Sequence, residues 1–189
     1  MSEKTTKSVE IPAGIDVRQD GHSLAVKGPK GELARDFRHP KITIKTKGDE
    51  VTFTAADERK KTRAMLGTCA AHLRNMITGV TIGWESRLKV VYSHFPVKLG
   101  VEGDKVVIQN FMGERSPRRV QIAGQTKVEV KKEEIVVSGI DKEATSQTAA
   151  NIELVTKVTG YDRRIFQDGC YITQKCSPMV EGKGEGEAK

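Results

Sequence analysis

Alternation of apolar and polar residues dominates the chain from residue 9 to about residue 54. Residues 15–17, 24–26 and 42–44 carry apolar side chains at every second position, and turn dipeptides such as Asp20-Gly21 separate such runs. A period of two is typical of a strand with one buried and one solvated face. The pattern predicts a small antiparallel, meander-like sheet, preceded by a loose polar arm at residues 1–8.

The period changes after Asp57. This residue is predicted as a helix N-cap, because its carboxylate can accept hydrogen bonds from free backbone amides, and Gly79 is predicted as the helix stop. No proline interrupts the stretch as far as Thr78. Its apolar residues recur at helical spacing: Leu66, Leu73, Ile77 and Val80. These features predict one long helix whose apolar stripe packs on the sheet.

The same order of elements then recurs. Three pairs of residues show the nearly constant spacing of the repeat. Pro96 stands 84 residues after Pro12, Ile108 stands 82 after Val26, and Asp141 stands 84 after Asp57. A second helix is predicted from Asp141 to Gly160. We therefore expect an α+β protein with two tandem duplicated domains, at residues 9–82 and 83–176. Each is an antiparallel-rich β-sheet packed against one long α-helix, and a disordered tail follows at residues 177–189.

Composition narrows the possible partners. The 189 residues include 32 basic and 25 acidic side chains, a net charge of +7. This excess is compatible with a nucleic-acid or acidic-membrane partner, and equally with a well-solvated surface. Three scattered cysteines and four dispersed histidines predict neither a zinc site nor a disulfide framework, and reduced thiols favour the cytosol or nucleus. No apolar run has the length of a membrane span.

Residues 108–120 carry the most distinctive chemistry. Arg115, Arg118 and Arg119 surround Ser116-Pro117, and Gly113-Glu114 stands 82 residues after a similar basic turn at Gly31-Glu32. The guanidinium group suits bidentate phosphate contact, and proline stiffens the loop that presents it. We predict that the tip of this second turn binds an anion.

A second basic group follows the second helix. Arg163 and Arg164 stand beside Tyr161 and Phe166. Arginines next to aromatic residues suit folded RNA, which exposes both phosphates and splayed bases. The alternative is that the two arginines pair with Asp162 and Asp168 on a solvated loop, and the sequence alone leaves both interpretations open.

No catalytic or nucleotide-binding signature accompanies these cations. The chain lacks G-x-S-x-G, H-E-x-x-H and G-x-x-x-x-G-K-[ST]. We therefore expect neither an enzyme nor a cofactor nor a small-molecule substrate. Two hypotheses remain, a structural RNA-binding protein and a duplicated protein–protein adaptor without RNA contact.

Several stretches together resemble one family. They are I-P-A-G-I-D-V at residues 11–17, V-K-G-P-K-G-E-L at 26–33, H-F-P-V at 94–97, N-F-M-G-E at 110–114 and G-Y-D-R-R-I-F-Q-D-G at 160–169. The chain is similar to the L-six family of large-subunit ribosomal proteins, in its eukaryotic and archaeal branch (L-nine in eukaryotic naming). The resemblance covers nearly the whole chain.

The resemblance implies an elongated two-domain protein whose C-terminal domain is the main binder of ribosomal RNA, near the factor-binding region. Expected partners are large-subunit ribosomal RNA, neighbouring ribosomal proteins and nearby translation factors, with no membrane. The expected location is cytoplasmic ribosomes, with assembly in the nucleolus if the source is eukaryotic. RNA contact is carried over to matching positions: Arg115, Arg118, Arg119, Arg163 and Arg164, with Lys157 and Lys175 added.

Overall fold

The computed structural model describes residues 5–93, 95–162 and 164–179. The chain divides into two compact units, Met1–Ile82 and Gly83–Lys189. No helix in the described part of the chain is both long enough and apolar enough to cross a membrane. Arg163, one of the predicted site residues, lies outside the described residues.

The described residues of the first unit form six strands and one helix. They are β1 (Thr6–Glu10), β2 (Asp16–Asp20), β3 (Ser23–Gly28), β4 (Gly31–Asp36), β5 (Ile42–Lys47), β6 (Glu50–Ala55) and α1 (Lys60–Thr81). The strands form two antiparallel three-stranded sheets, with orders β1-β6-β5 and β2-β3-β4. The predicted meander is thus split between two sheets.

The core of the first unit lies under α1. Its buried stripe includes Leu66, Leu73 and Val80, as the helical spacing predicted. Gly28, at the end of β3, lies so close to α1 that a Cβ atom there would be 2.7 Å from Cγ2 of Val80. A side chain at this position would force the sheet and the helix apart, so glycine permits the close packing.

The N-terminal arm is shorter than predicted. Residues 6–8 belong to β1 and pair with residues 52–54 of β6 in an antiparallel ladder. Their polar composition indicated a loose arm, but backbone hydrogen bonds do not depend on side-chain polarity. Val9, buried in the core, anchors the strand.

Both predicted boundaries of the first helix are wrong. The N-cap position is Arg59, without a side-chain cap, and the Asp57 carboxylate instead accepts a hydrogen bond from Lys41 Nζ at 2.7 Å. The pKa of Asp57 is lowered, chiefly by this bond and then by one from Thr62. At the other end, α1 continues through the buried Gly79 to Thr81, because Val80 is packed against the sheet.

In the second unit, residues 83–93, 95–162 and 164–179 form seven strands and one helix. They are β7 (Trp84–Val91), β8 (Lys98–Glu102), β9 (Lys105–Gln109), β10 (Arg118–Gln121), β11 (Lys127–Lys131), β12 (Glu134–Gly139), α2 (Lys142–Val155) and β13 (Gly169–Pro178), with a short 3-10 turn at Phe111–Gly113. The antiparallel sheets have orders β10-β9-β8 and β11-β12-β7-β13. The core includes Leu88, Ile108, Ile135 and Ile152, all fully buried.

The second helix begins as predicted and ends early. The Asp141 side chain accepts a hydrogen bond from the backbone of Glu143, which confirms the predicted cap. However, α2 ends at Val155 instead of Gly160. The Thr156 hydroxyl accepts a hydrogen bond from the backbone N–H of Cys170, so the chain at the helix end is held by β13. Tertiary contact, not the glycine, ends this helix.

The predicted tail begins later than residue 177. Ser177 and Pro178 belong to β13 and pair with Glu85 and Trp84 of β7. Residues 180–189 lie outside the part of the chain that the structure describes.

One hairpin differs between the two copies. In the first, only Pro29-Lys30 separates β3 from β4, whereas residues 110–117 separate β9 from β10. Val26 pairs with Leu33, and its counterpart Ile108 pairs with Arg118. Gly113-Glu114 is therefore not the structural counterpart of Gly31-Glu32, although the two pairs stand 82 residues apart. The second copy has a longer loop at this point.

Candidate nucleic-acid interface

The long hairpin connection, the β9–β10 loop (residues 110–117), has an unusual backbone. Asn110, Met112 and Gly113 have φ values of 59°, 53° and 77°. Such left-handed conformations are unfavourable for side-chain-bearing residues, so surrounding contacts must hold them. Phe111 is buried in the core, and Asn110 Nδ2 donates a hydrogen bond to the carbonyl oxygen of Pro96 at 3.1 Å. The loop is anchored rather than loose.

Arg118 is the main anchor. Its Nε and Nη2 atoms donate to the two carboxylate oxygens of Glu114 at 2.8 and 2.5 Å. Its Nη1 atom donates to the carbonyl oxygen of Val155 at 2.5 Å, and the guanidinium lies 4.3 Å from the ring centre of Phe111. The hydrogen bond from Arg118 lowers the pKa of Glu114. Arg118 was predicted at the tip of the turn, but its side chain is engaged within its own unit.

Arg115 and Arg119 are exposed, in contrast to their neighbour. Arg115 lies beside a cleft of about 390 Å³ that is also lined by Lys98 of β8 and by Asn110. Arg119 lies opposite Val107 on the strand pair β10–β9, one position along from Arg118. Because successive residues of a strand point to opposite faces, Arg118 faces the core while Arg119 faces outward.

Lys98 was missed by the sequence analysis. Lys98 lies on β8 and pairs with Gln109, the residue directly before the β9–β10 loop. A lysine in an exposed strand is ordinary, and only the pairing of β8 with β9 brings it to the same cleft as Arg115. Knowledge of this strand register could have found it.

The second group of cations borders the segment between α2 and β13. Lys157 and Arg164 are both exposed. Lys157 lies on a groove of about 620 Å³ that we call the post-helical groove, lined mainly by Leu154, Lys157, Val158, Phe166, Gln167 and Tyr171. Asp162 accepts a hydrogen bond from the backbone N–H of Arg164 at 2.9 Å. Asp168 is buried and accepts one from the backbone of Ser93.

The two groups lie at the same end of the second unit. The hydrogen bond from Arg118 to Val155 joins the base of the β9–β10 loop to the last residue of α2. Val155 stands between Leu154 and Thr156, both of which line the post-helical groove. Arg115, Lys98 and Lys157 are thus grouped around one structural joint, although Lys98 and Lys157 are far apart in the chain.

Lys175 does not join this group. It lies in an irregular part of β13, between Gln174, which pairs with Arg87, and Ser177, which pairs with Glu85. The post-helical groove is at the other end of β7, where Val91 contributes to its lining. No group of three or more potential metal ligands occurs among residues 5–93, 95–162 and 164–179.

Comparison with known proteins agrees with this architecture. The sequence pattern of the family described as ribosomal protein L6 matches residues 11–83 and 95–169, one match in each unit. The chain belongs to the ribosomal protein L6 family. The double match confirms the predicted duplication, and membership makes the chain a structural ribosomal component rather than an enzyme.

Archaeal relatives match nearly end to end. A protein of Methanothrix thermoacetophila is 50% identical over 175 residues, which is 93% of this chain and 99% of that protein. A protein of Methanosarcina mazei is 49% identical over 175 residues, again 93% and 99%, and one of Haloarcula marismortui is 47% identical over 167 residues, 88% and 94%. Each is described as large ribosomal subunit protein uL6.

Proposed function

We propose that this member of the L6 family is a structural constituent of the large ribosomal subunit and supports translation by holding ribosomal RNA. The single observation that supports an RNA-binding surface is the hydrogen bond from Arg118 to Val155. It brings exposed cations together at one end of the second unit. Family membership supports the ribosomal context. The expected neighbours are other ribosomal proteins and the translation factors that dock at the factor-binding region, in cytoplasmic ribosomes.

The proposed mechanism is electrostatic and geometric. Arg115, Arg119, Lys157 and Arg164 are exposed and form no ion pair with any residue that the structure describes. Free cations can replace the counterions of RNA phosphates, which favours binding without reading the base sequence. Arg163, beyond the described residues, extends the same basic segment.

Arg118 has a different role in this proposal. Its guanidinium holds Glu114 and the end of α2, so it fixes the β9–β10 loop before RNA arrives. A loop that is already ordered loses less conformational freedom on binding. Arg118 therefore acts by positioning Arg115 and Arg119. The donors that it uses for Glu114 and Val155 are not available for contact with phosphate. Lys175 supplies a separate phosphate contact elsewhere on the unit.

The proposal is tested by the salt dependence of binding. The full chain is titrated onto large-subunit ribosomal RNA at increasing salt concentration. Each neutralised phosphate contributes about −0.7 to −0.9 to the slope of log K against log salt, so four contacts predict a slope of about −3 or steeper. A slope near zero would refute the electrostatic mechanism. Co-purification of protein partners that survives ribonuclease treatment would instead support an adaptor.

A further inference from the structure

Aromatic and aliphatic side chains remain exposed around the post-helical groove. Leu154 is 68% exposed, Ile165 62% and Tyr161 56%. Tyr161 lies between two cations in the sequence, Lys157 and Arg164, while Leu154 precedes this pair and Ile165 follows it. An exposed apolar patch of this kind marks a binding surface, and the flanking charges limit what it can bind.

Tyr171 offers a fixed ring on the groove wall. Its hydroxyl donates a hydrogen bond to the carbonyl oxygen of Gln167 at 3.0 Å. Its ring lies over Gly169, where a Cβ atom would be 3.3 Å from two ring carbons. The absence of a side chain at Gly169 lets the ring approach the backbone this closely, while the Tyr171 side chain stays 40% exposed. A ring held in this way is a platform for stacking.

The second aromatic residue is also held in place. Phe166 lines the same groove, and its ring centre is 5.0 Å from that of Tyr161. Its backbone N–H donates to the carbonyl oxygen of Asp162 at 2.9 Å. The groove volume of about 620 Å³ lies within the range of roughly 300–1,000 Å³ usual for small-molecule sites.

We propose that the post-helical groove receives one unstacked nucleobase of an RNA strand, stacked on Tyr171 beside Phe166, while Lys157 and Arg164 hold the flanking phosphates. This inference rests on the proposed RNA-binding function and deepens it. Single-stranded loops and bulges of folded RNA expose bases that stack on aromatic side chains.

Charge selects a base over a phosphate inside the groove. Glu153 contributes to the lining, and its Oε1 lies 3.4 Å from the backbone nitrogen of Ile172. A carboxylate at this point repels a phosphate but can accept from an exocyclic amino group, which adenine, cytosine and guanine have and uracil lacks. Lys157 lines the groove, and the exposed Arg164 stands two residues before Phe166, so both are placed to meet phosphates of the same strand. An apolar protein segment would use the groove but leave Lys157 and Arg164 without anionic partners.

The first test uses nucleotides and the full chain labelled with ¹⁵N. CMP and AMP are titrated while amide resonances are followed, with ribose 5-phosphate as the probe without a base. CMP and AMP are expected to shift the amide resonances of Tyr171, Gln167 and Leu154. UMP should cause smaller shifts, and ribose 5-phosphate should shift only the amides near the cations. Equal shifts with ribose 5-phosphate, or none in the groove, would overturn the proposal.

The second test separates this inference from RNA binding itself. Tyr171→Leu removes the stacking ring, Tyr171→Phe keeps it, and Tyr92→Leu is the matched control, since Tyr92 is 43% exposed and does not line the groove. Loss of one stack is expected to weaken binding to large-subunit ribosomal RNA about tenfold. The salt slope should stay unchanged, because no phosphate contact is lost. Tyr171→Phe should bind within about twofold of wild type.

The outcomes are distinct. If wild type binds the RNA with a steep salt slope and Tyr171→Leu matches Tyr92→Leu, the nucleobase inference fails and RNA binding stands. If wild type does not bind the RNA, the proposed function itself fails. If the groove is occupied by a protein segment, Tyr171→Leu will lower association with other ribosomal proteins and leave RNA affinity unchanged, which also overturns the inference.

Discussion

Arg118 Nη1 donates a hydrogen bond to the carbonyl oxygen of Val155, 2.5 Å away, and so joins the start of β10 to the end of α2. The first unit has an equivalent joint, in which Lys30 Nζ donates to the carbonyl oxygen of Ile82 just after α1. A cation at a helix C-terminus satisfies free carbonyls and interacts favourably with the helix dipole. In each unit, a cation of this hairpin thus bonds to a carbonyl oxygen at the end of the helix, although the two cations are not at matching strand positions.

Removal of the Arg118 joint should destabilise the second unit. Arg118→Ala loses the bonds to Glu114 and Val155 and the contact with Phe111. Hydrogen bonds to charged groups contribute about 1.5–3 kcal/mol, so we expect a loss of about 2 kcal/mol. Urea unfolding followed by the fluorescence of Trp84, which is buried in this unit and is the chain's one tryptophan, measures it.

The neighbouring arginine provides the control. Arg119→Ala removes an exposed side chain and should change the unfolding free energy by no more than about 0.5 kcal/mol. Equal losses for the two variants would show that Arg118 is not an anchor.

Charge reversal should separate the two units in ribosome assembly. Arg115→Glu with Arg119→Glu places anions where RNA phosphate is proposed to lie, and should reduce incorporation of a tagged chain into large subunits. Lys60→Glu with Lys61→Glu, at the start of α1, makes the same change of charge in the first unit. Sucrose-gradient sedimentation measures the incorporation of both double variants. An equal loss of incorporation would contradict the assignment of RNA binding to the second unit.

The same reversal has a signature in solution. Loss of two phosphate contacts should reduce the magnitude of the salt slope by about 1.5–2. A weaker affinity with an unchanged slope would point to a folding defect instead.

Acid should weaken the anchor of the β9–β10 loop. The hydrogen bond from Arg118 holds the pKa of Glu114 below its ordinary value. Because the folded-state pKa is the lower one, this contribution to stability is complete above the unfolded pKa of about 4 and is lost as pH falls through the folded value. The urea midpoint reported by Trp84 should therefore drop in acid, and Glu114→Gln should reduce that pH dependence. An identical acid profile for the variant would refute this assignment.

The cysteines should differ in reactivity. Burial raises the pKa of Cys170 to about 11, and it also raises the pKa of Cys69 and of the half-buried Cys176. The thiolate is the reactive form, so alkylation of the native protein at pH 8 should be slow at all three and slowest at Cys170. Mass spectrometry after timed iodoacetamide treatment should detect Cys176 first. Early modification of Cys170 would show that its surroundings open readily.

Some features of the structure could be predicted from local patterns of residues in the sequence. The period-two runs and the helical stripe that ends at Val80 predicted the strands and α1, because burial of one face sets the spacing of apolar residues. The Asp141 cap was also predictable, because its partner is the backbone amide of Glu143, only two residues away. The duplication was visible because both copies repeat these local signals at one register.

Contacts between distant residues decided the rest. Adjacent arginines, Arg118 and Arg119, have the same chemistry, yet strand alternation turns one to the core and the other outward. The sequence alone determined a duplicated α+β protein with arginines at a turn. Only the tertiary structure decided which arginine is an anchor and which is exposed, because strand register and the left-handed conformations of Asn110, Met112 and Gly113 depend on packing across the whole unit.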